Sequence, residues 1–385
     1  MPLKDKSKSI ATKRNRTLKK YNCIFPGLYN YILAKDVGMI PYTLSDRLET
    51  TVTTYENDDY TYLDDFMKKD NFRIDILEKT GNERKDVINY IRQNASNIDI
   101  IQFYHLRYNI LPYYVLVYKL HNPRGHIYLK LDSHQEYIDF LVKRSGIGAT
   151  ARRLLVKILF KFINTVSTET KRNYDTLRES SIIDNKKLLY IPNGVNDDDT
   201  SLEDKHKTIL YVGFIQKLYK RCDILFDALS KVDLKGWKVV LIGEIGEDME
   251  GYLEEYYRQY PELEEKIIYK GYIKDKKLLA TEYAKSSIYC CTSDRESFGL
   301  SLLEASYHGN YLISTDVGAC RDILDKTGYG HICSHTTESV RDGIQYTIDN
   351  WDKIIKDPYT IRRKVYDDFN WNKICDRLYT HINGG

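Results

Sequence analysis

The feature that most constrains this chain is a repeated alternation of short apolar runs with longer helical patterns. Compact, β-branched runs occur in its first half, among them IDIIQFYHL (98–106), GHIYLKLD (125–132), KFINTVST (161–168) and LLYIPNGV (188–195). Helical patterns separate these runs. Strands that alternate with helices favour a mostly parallel sheet with helices on both faces.

The same alternation starts again after a polar, acidic stretch at 196–207, which we interpret as an interdomain linker. A chain of 385 residues is also longer than one hydrophobic core usually supports. We therefore predict an α/β protein with two Rossmann-like domains, 21–200 and 206–365, that face each other across a cleft. A basic tail (1–20) precedes them, and a C-terminal helix (366–385) packs back on the first domain. Ligands of such sheets bind beyond the carboxyl ends of the strands.

The strongest chemical signal is RESFGLSLLEASYHGN at 295–310. A predicted strand ends just before it, and a predicted helix begins at Phe298. The N–H groups of Phe298, Gly299 and Leu300 would be free first-turn donors, which suit a diphosphate. Glu304 lies one turn past Leu300 on the same face and could accept hydrogen bonds from two vicinal hydroxyls, or it could pair with a lysine of the protein. Glu296 precedes the helix.

These two glutamates, with seven residues between them and F-G-L after the first, resemble the signature of GT-B glycosyltransferases of family 4. Three further segments resemble that family in the same order: LYVGFIQKLYKRCDILFDAL, KGYIKDKKLLATEYAKSSIYCCTSDRESFG and NYLISTDVGACRDIL. The resemblance is dense over about 205–330 and thinner over 20–200. It implies a retaining hexosyltransferase that uses a sugar nucleotide.

Family roles can be carried onto the matching positions. The resemblance implies that Glu304 holds the ribose of the donor, that Glu296 contacts the transferred sugar, and that Lys220 neutralises the diphosphate, although Lys220 could also be an ordinary surface lysine. Backbone positions follow in the same way: Gly213 at a strand end, Gly38 in a glycine turn beside the diphosphate, and Tyr272 beside the base.

Two departures from the family pattern affect the predicted site. Phe214 stands where the family often has an arginine, and we predict that Lys217 or Arg221 covers for the missing cation. Near YLKLDSH, where the family often has a histidine that contacts donor and acceptor, Asp132 and His134 are catalytic candidates, with Lys130 beside them. A histidine or aspartate at a strand end can equally cap a turn.

The predicted chemistry is transfer from a nucleoside diphosphate sugar, in first place a UDP-sugar, to a glycan or lipid-linked acceptor in bacterial surface polysaccharide or glycoconjugate synthesis. We predict no cofactor and no metal, because no D-x-D cluster ends a strand of the first domain and no histidines have metal-ligand spacing. One rival is a non-catalytic sugar-nucleotide-binding subunit. Another is an NAD-dependent oxidoreductase, although Gly243 and Gly246 do not complete G-x-G-x-x-G.

Charge and cysteine usage bear on location. Residues 1–20 carry eight Lys and Arg against one Asp, which exceeds the net charge of +3 of the whole chain. The segment RRLLVKILFKFI (152–163) has Arg153, Lys157 and Lys161 on one stripe and apolar residues around it. It fits a helix on an anionic membrane or a buried helix with a solvated stripe.

Together these features predict peripheral attachment to the inner face of the cell membrane. Seven cysteines without a C-x-x-C pair, and the lack of a secretory signal, favour a reduced, cytoplasmic setting. We predict no nucleic-acid partner and leave a homo-oligomer open.

Overall fold

The first of two parallel sheets occupies the N-terminal half of the chain. In the computed structural model, which describes residues 18–65 and 67–384, this sheet has the strand order β3-β2-β1-β4-β5-β6-β7. Its strands are β1 (Lys20–Ile24), β2 (Glu49–Thr54), β3 (Phe72–Ile76), β4 (Ile100–Tyr104), β5 (His126–Lys130), β6 (Thr165–Thr168) and β7 (Leu188–Tyr190).

Helices cover both faces of this sheet. They are α1 (Asn30–Leu33), α2 (Asp36–Leu44), α3 (Thr61–Asp65), α4 (Glu83–Asn94), α5 (Leu111–His121), α6 (Gln135–Lys143), α7 (Ile147–Phe162) and α8 (Lys171–Ser180). The strand predicted over 161–168 is shorter than expected, because α7 continues through Phe162 and β6 begins only at Thr165.

The second sheet is also parallel, with the order β10-β9-β8-β11-β12-β13. Its strands are β8 (His206–Val212), β9 (Lys238–Ile242), β10 (Ile267–Tyr269), β11 (Ser286–Cys291), β12 (Tyr311–Thr315) and β13 (Gly330–Cys333). The helices that follow are α9 (Cys222–Leu229), α10 (Glu247–Gln259), α11 (Lys276–Lys285), α12 (Leu300–Tyr307), α13 (Cys320–Thr327), α14 (Thr337–Asp349), α15 (Trp351–Ile354), α16 (Pro358–Phe369) and α17 (Trp371–Gly384). The prediction of an α/β protein with two Rossmann-like domains is confirmed.

The C-terminal segment crosses back to the first domain. Helix α17 begins at Trp371 rather than at 366, and its apolar face joins the core around α2. A salt bridge of 2.7 Å between Arg47 and Asp376 lies on the same contact. The two domains are therefore joined twice, by α17 and by residues 191–205.

The connecting segment is anchored to the second domain by Lys205. Its Nζ donates to the carbonyl oxygens of Ser286 (2.6 Å) and His308 (2.5 Å) and to Asn310 Oδ1 (3.1 Å). Burial lowers the pKa of Lys205 to about 7. The linker is thus held against the end of α12 rather than running free between the domains.

Three further sequence-based expectations concern the basic tail, the cysteines and the possibility of a membrane-spanning helix. Of the predicted basic tail, residues 1–17 lie outside the described part of the chain, whereas Lys20 already belongs to β1. All seven cysteines are buried and unpaired. Among the residues that the structure describes, no helix has both the length and the apolar character needed to cross a bilayer.

Candidate active site in the interdomain cleft

The turn between β11 and α12 carries the glutamate motif, and its backbone depends on a glycine. Gly299 is the N-cap of α12 with φ of +82°, and a Cβ there would lie 2.9 Å from Leu302 Cδ1. The helix begins at Leu300, so the predicted start at Phe298 is wrong. Phe298 is buried instead, and its carbonyl oxygen accepts a hydrogen bond from the Ala319 N–H (2.7 Å). The free first-turn donors therefore begin at the glycine, not at Phe298.

Glu296 and Lys220 form an ion pair beside this turn. Lys220 Nζ lies 2.5 Å from Glu296 Oε1, and the Ser293 hydroxyl donates to the same oxygen (2.8 Å). Burial would lower the pKa of Lys220, but attraction by Glu296 and their hydrogen bond raise it, so the ammonium stays charged. Among the described residues, no group donates to Glu296 Oε2. One carboxylate oxygen is thus held by the protein and the other is open to a ligand.

That open oxygen belongs to a residue on the wall of a cavity of about 190 Å³ between the domains. The first domain contributes residues that include His134, Asn173 and Arg172, and the second contributes Arg295, Glu296, Asp316 and His335. A concave site between two domains is a usual place for a small molecule to bind, and the polar and charged lining of this cavity suits a polar ligand.

The two domains touch directly around this cavity. Arg295 Nε lies 2.7 Å from Glu136 Oε2, and Arg172 Nη1 lies 3.6 Å from Asp316 Oδ2. Asp322 accepts from the N–H of Lys171 (2.8 Å) and from the hydroxyl of Tyr190 (3.1 Å). We call these contacts the interdomain clasp.

Glu304 faces a second cavity of about 190 Å³ in the cleft. Its Oε2 accepts a hydrogen bond from the Tyr283 hydroxyl (3.1 Å). No Lys or Arg forms a salt bridge with Glu304 within the described residues, so the lysine pair considered as an alternative is not present. The other walls include Ala34, Tyr62, Lys276 and Trp371. Within the described residues, the carboxylate therefore lies half-buried at a cavity, with the neutral Tyr283 hydroxyl as its hydrogen-bond partner and Lys276 lining the same cavity.

The glycine that ends β8 is fixed by close backbone packing. Gly213 adopts φ of +153°, and a Cβ on Gly243, which ends β9, would lie 1.8 Å from the Gly213 carbonyl oxygen. Gly243 in turn donates its N–H to the Gly271 carbonyl (2.9 Å). Tyr272 follows directly, with its side chain exposed. Three strand ends thus present their backbones at one edge of the sheet.

The two residues predicted to replace an arginine at Phe214 contact other groups in this structure. Lys217 Nζ lies 4.3 Å above the ring of Tyr252. Arg221 is bound to Asp223 (3.0 Å) and to Asp294 (3.3 Å). In the described residues neither side chain contacts Lys220 or Glu296, because other partners already hold both cations.

Gly38 is not in a glycine turn. It lies in the first turn of α2, where it is buried, and a Cβ there would come within 2.2 Å of the Leu33 carbonyl oxygen. The prediction of a glycine turn at KDVG is therefore wrong, and packing of α2 on the end of α1 accounts for this glycine.

A buried charge cluster, which was not predicted from the sequence, lies below the first-domain side of the cleft. Lys130 is wholly buried, and its Nζ lies 3.1 Å from Glu169, 3.6 Å from Asp36 and 3.0 Å from the Ile191 carbonyl oxygen. It cannot touch a substrate, which rules it out among the candidates near YLKLDSH. Burial raises the pKa of Glu169 to about 7 even though Lys130 lowers it. The local signal was a charged residue at the end of β5 (Lys130) and another directly after β6 (Glu169).

The cluster positions the loop that carries the other two candidates. Glu169 accepts the N–H of Asp132 (2.9 Å), which has φ of +41°, and the N–H of Ser133 (3.4 Å). His134 Nδ1 accepts the N–H of Tyr137 (3.3 Å) and so caps α6, while the ring lines the cavity of Glu296. Asp132 instead points towards His105, 4.0 Å away. Of the two, His134 shares a cavity with the glutamate motif.

Comparisons with known proteins find a family match over part of the chain. Residues 206–350 match the family described as "Glycosyl transferases group 1". A probable sucrose-phosphate synthase of Thermosipho melanesiensis is 24% identical over 254 residues, which cover 62% of this chain and 57% of that protein. A phosphatidyl-myo-inositol mannosyltransferase of Mycobacterium leprae is 30% identical over 150 residues, 37% of this chain and 39% of that protein. The chain thus spans a little more than half of the first relative and well under half of the second.

Solved structures resemble the whole chain in fold. The lipopolysaccharide outer core galactosyltransferase WaaB superposes with a TM-score of 0.70 at 16% identity, over 95% of this chain and 99% of that chain. Anabaena HepE in complex with UDP and glucose superposes with a TM-score of 0.68 at 13% identity, over 95% and 100%. At such identities the likeness shows the fold alone, and that fold is GT-B.

Proposed function

We propose that this chain, a GT-B protein whose residues 206–350 form a glycosyl transferases group 1 domain, transfers a sugar from a nucleoside diphosphate sugar to a hydroxyl acceptor. One observation carries the proposal. Glu296, paired with Lys220, and Glu304, which forms no salt bridge with any described residue, lie on two cavities on either side of the Gly299 turn in a cleft between two domains. The two carboxylates can accept hydrogen bonds from the hydroxyls of a sugar nucleotide, and the ammonium can neutralise part of the negative charge of its diphosphate.

Different residues would bind different parts of the donor. The diphosphate would lie against the start of α12, where first-turn N–H groups and Lys220 Nζ meet its charge. Glu304 would accept the ribose hydroxyls, and the open oxygen of Glu296 would accept hydroxyls of the transferred sugar. UDP is the nucleotide we favour, because the HepE structure that resembles this chain holds UDP.

We further propose that the anomeric configuration is retained by displacement on the front face, with the leaving diphosphate taking the proton of the acceptor. Other carboxylates of the cavity already have partners: Asp316 pairs with Arg321 (2.8 Å), Asp294 pairs with Arg221 (3.3 Å), and Asp322 accepts from the Lys171 N–H (2.8 Å) and the Tyr190 hydroxyl (3.1 Å). This leaves positioning and charge stabilisation at the leaving group as the contribution of the protein. His134 is the residue we place beside the acceptor.

The acceptor we propose is a glycan or lipid-linked saccharide of bacterial surface glycoconjugate synthesis, met at the cytoplasmic face of the membrane. Two similar proteins are named for surface lipids, the outer core galactosyltransferase and the phosphatidyl-myo-inositol mannosyltransferase. Donor binding would need no metal, because Lys220 and the helix start supply the positive charge.

A thermal-shift screen with nucleoside diphosphates and their sugars, followed by assay of released nucleoside diphosphate, tests the proposal. A ligand that binds the folded state raises the melting temperature by mass action. We expect stabilisation by UDP and by one UDP-sugar, in the presence of EDTA, and slow turnover of that sugar. Binding without any turnover would favour the non-catalytic subunit. Stabilisation by NAD but by no nucleoside diphosphate would overturn the proposal.

A further inference from the structure

Helix α7 leaves much of its apolar surface uncovered. Val156, Leu159 and Phe160 are buried against the first domain. On the outer face, Leu155 is 66% exposed and Phe162 is 54% exposed. The interpretation of α7 as a buried helix with a solvated stripe is therefore wrong, because apolar side chains share the stripe with the lysines.

Helix α5 extends this apolar surface. Leu116 (58% exposed) and Leu120 (68% exposed) lie across a groove from Leu155 and Phe162. The groove has a volume of about 530 Å³ and is apolar along most of its length. We call this face, formed by Leu116, Leu120, Leu155, Ile158 and Phe162, the α5–α7 surface. Contiguous exposed patches of this kind mark interaction sites.

Cations predominate around the α5–α7 surface, although Lys143 pairs with Asp139 (2.7 Å) and Arg107 with Glu83 (2.5 Å). Residues 143–163 contain six Lys and Arg and no Asp or Glu, and residues 107–125 contain three and none. Lys157 and Lys161 are exposed and form no ion pair with any residue that the structure describes. Arg153 donates to the carbonyl oxygens of Val142 (2.8 Å) and Arg144 (3.0 Å), so its charge also stays unneutralised.

We propose that the α5–α7 surface docks on an anionic lipid bilayer. Leucine, isoleucine and phenylalanine side chains would enter the acyl boundary while Lys157, Lys161 and Arg152 meet the lipid phosphates. A second copy of this chain is a poor occupant, because two such surfaces would bring like charges together. The segment 1–17 is a poor occupant for the same reason, since it is strongly basic.

The surface reaches the cleft side of the first domain. The start of α5, at Leu111 and Tyr114, lines a cavity of about 270 Å³ with Phe25 and His105, which follow β1 and β4. This is the point where the strand order reverses, where sheets of this type bind ligands. A bilayer on the α5–α7 surface would present headgroups near that edge, a consequence that rests on the proposed function.

Flotation of the full chain with vesicles tests the inference. Vesicles of phosphatidylcholine alone are compared with vesicles that contain one third phosphatidylglycerol, at low and high salt. The test variants are Leu120→Glu with Leu155→Glu, and Lys157→Glu with Lys161→Glu. Matched controls are Ile355→Glu and Lys207→Glu, which change equally exposed residues of the second domain. Sedimentation velocity without lipid reports any self-association.

We expect the parent and both controls to float with anionic vesicles and not with neutral ones, and salt to reduce binding. Each test variant should lose at least about tenfold in partition coefficient. Binding of both test variants at the level of the parent would overturn the inference, and would assign any attachment to residues 1–17. Self-association that the Leu variants abolish, without vesicle binding, would overturn it in favour of a protein interface. Nucleotide binding, measured without lipid, stays unchanged in every case.

Discussion

Each domain directs a lysine and its carboxylates towards the cleft, but the two clusters differ in what surrounds them. Lys130 of the first domain has no exposed surface and lies between Glu169 and Asp36. Lys220 of the second domain is 25% exposed and pairs with Glu296 alone. The first cluster has two carboxyl groups for one ammonium and is closed by protein. The second cluster has one carboxyl group for one ammonium and opens to a cavity.

This difference indicates two separate roles. The Lys130 cluster positions a loop, whereas the Lys220–Glu296 pair is placed to bind a ligand. Burial of an ion pair costs the desolvation free energy of both charged groups. Removal of one partner is strongly destabilising, because it leaves the other charge buried and unpaired. Lys130 and Glu169 together fix the backbone of Asp132 and Ser133, which no ligand needs to touch. Lys220 and Glu296 keep an unfilled oxygen at a cavity wall. Removal of the first should therefore affect folding, and removal of the second should affect binding.

The largest effect is expected from Lys130→Met. The change leaves two buried carboxyl groups without their cation, which should cost about 3–5 kcal/mol of the free energy of unfolding. Lys220→Met, at a partly exposed pair, should cost about 1 kcal/mol or less. Urea unfolding of both variants measures this. Equal costs would remove the distinction between the two clusters.

Glu304→Ala should weaken the nucleoside diphosphate and the sugar donor by similar factors, because both contain the ribose. Hydrogen bonds to a charged group contribute roughly 1.5–3 kcal/mol, so both dissociation constants should rise about tenfold or more. Titration calorimetry of the two ligands gives the factors. If the variant binds the nucleoside diphosphate as well as the parent does, the ribose assignment fails.

Glu296→Ala should separate the two ligands. The nucleoside diphosphate should bind almost as well as to the parent, because Lys220 loses a competing partner, while kcat/KM for the donor should fall about tenfold. The same titrations and a turnover assay decide it. A loss of nucleoside diphosphate affinity as large as that in Glu304→Ala would show that the two glutamates do not have separate roles.

The surplus carboxyl group of the buried cluster predicts a pH dependence. Burial holds the pKa of Glu169 at about 7 in the folded chain, above its ordinary value of 4.5. A raised pKa stabilises the fold fully below pH 4.5, and this contribution is lost as the pH rises to 7. The free energy of unfolding of Glu169→Gln, compared with the parent at each pH, should lack this loss of about 3 kcal/mol. A constant difference between pH 4.5 and 7.5 would exclude it.

The smallest effect is expected from Lys217→Ala. Its ammonium lies on the ring of Tyr252 and not beside Glu296, so kcat should change by less than about twofold, whereas Lys220→Ala should lose most of its activity. A large loss in Lys217→Ala would restore this residue as the replacement for the missing arginine.

The fold was predictable where strands are buried on both faces, since their apolar runs stand out from the helices between them. The strands β3 and β13 were missed. Both lie at the edge of a sheet, and β3 alternates charged Arg73 and Asp75 with apolar residues. Four-residue β13 begins at a glycine and also lacks an apolar run. Edge strands keep one side in water, and their sequences carry a weaker signal.

The second-domain part of the site was predictable because Glu296, Gly299 and Glu304 lie within nine residues of one another. The first-domain cluster was not, since Asp36, Lys130 and Glu169 come together only through the sheet order. The prediction of a glycine turn at Gly38 failed for a related reason. A glycine required by helix packing and a glycine required by a ligand look the same in a sequence.

The interdomain clasp bears on the timing of a catalytic cycle. Arg295–Glu136 and Arg172–Asp316 join the walls of a cavity that, on the proposed function, a donor and an acceptor would enter and a spent nucleotide would leave. Each round then requires that these ionic contacts separate and form again. Since their members are substantially exposed, salt weakens them. Higher ionic strength should therefore speed opening, and release of the nucleotide rather than the chemical step would govern the rate at low ionic strength.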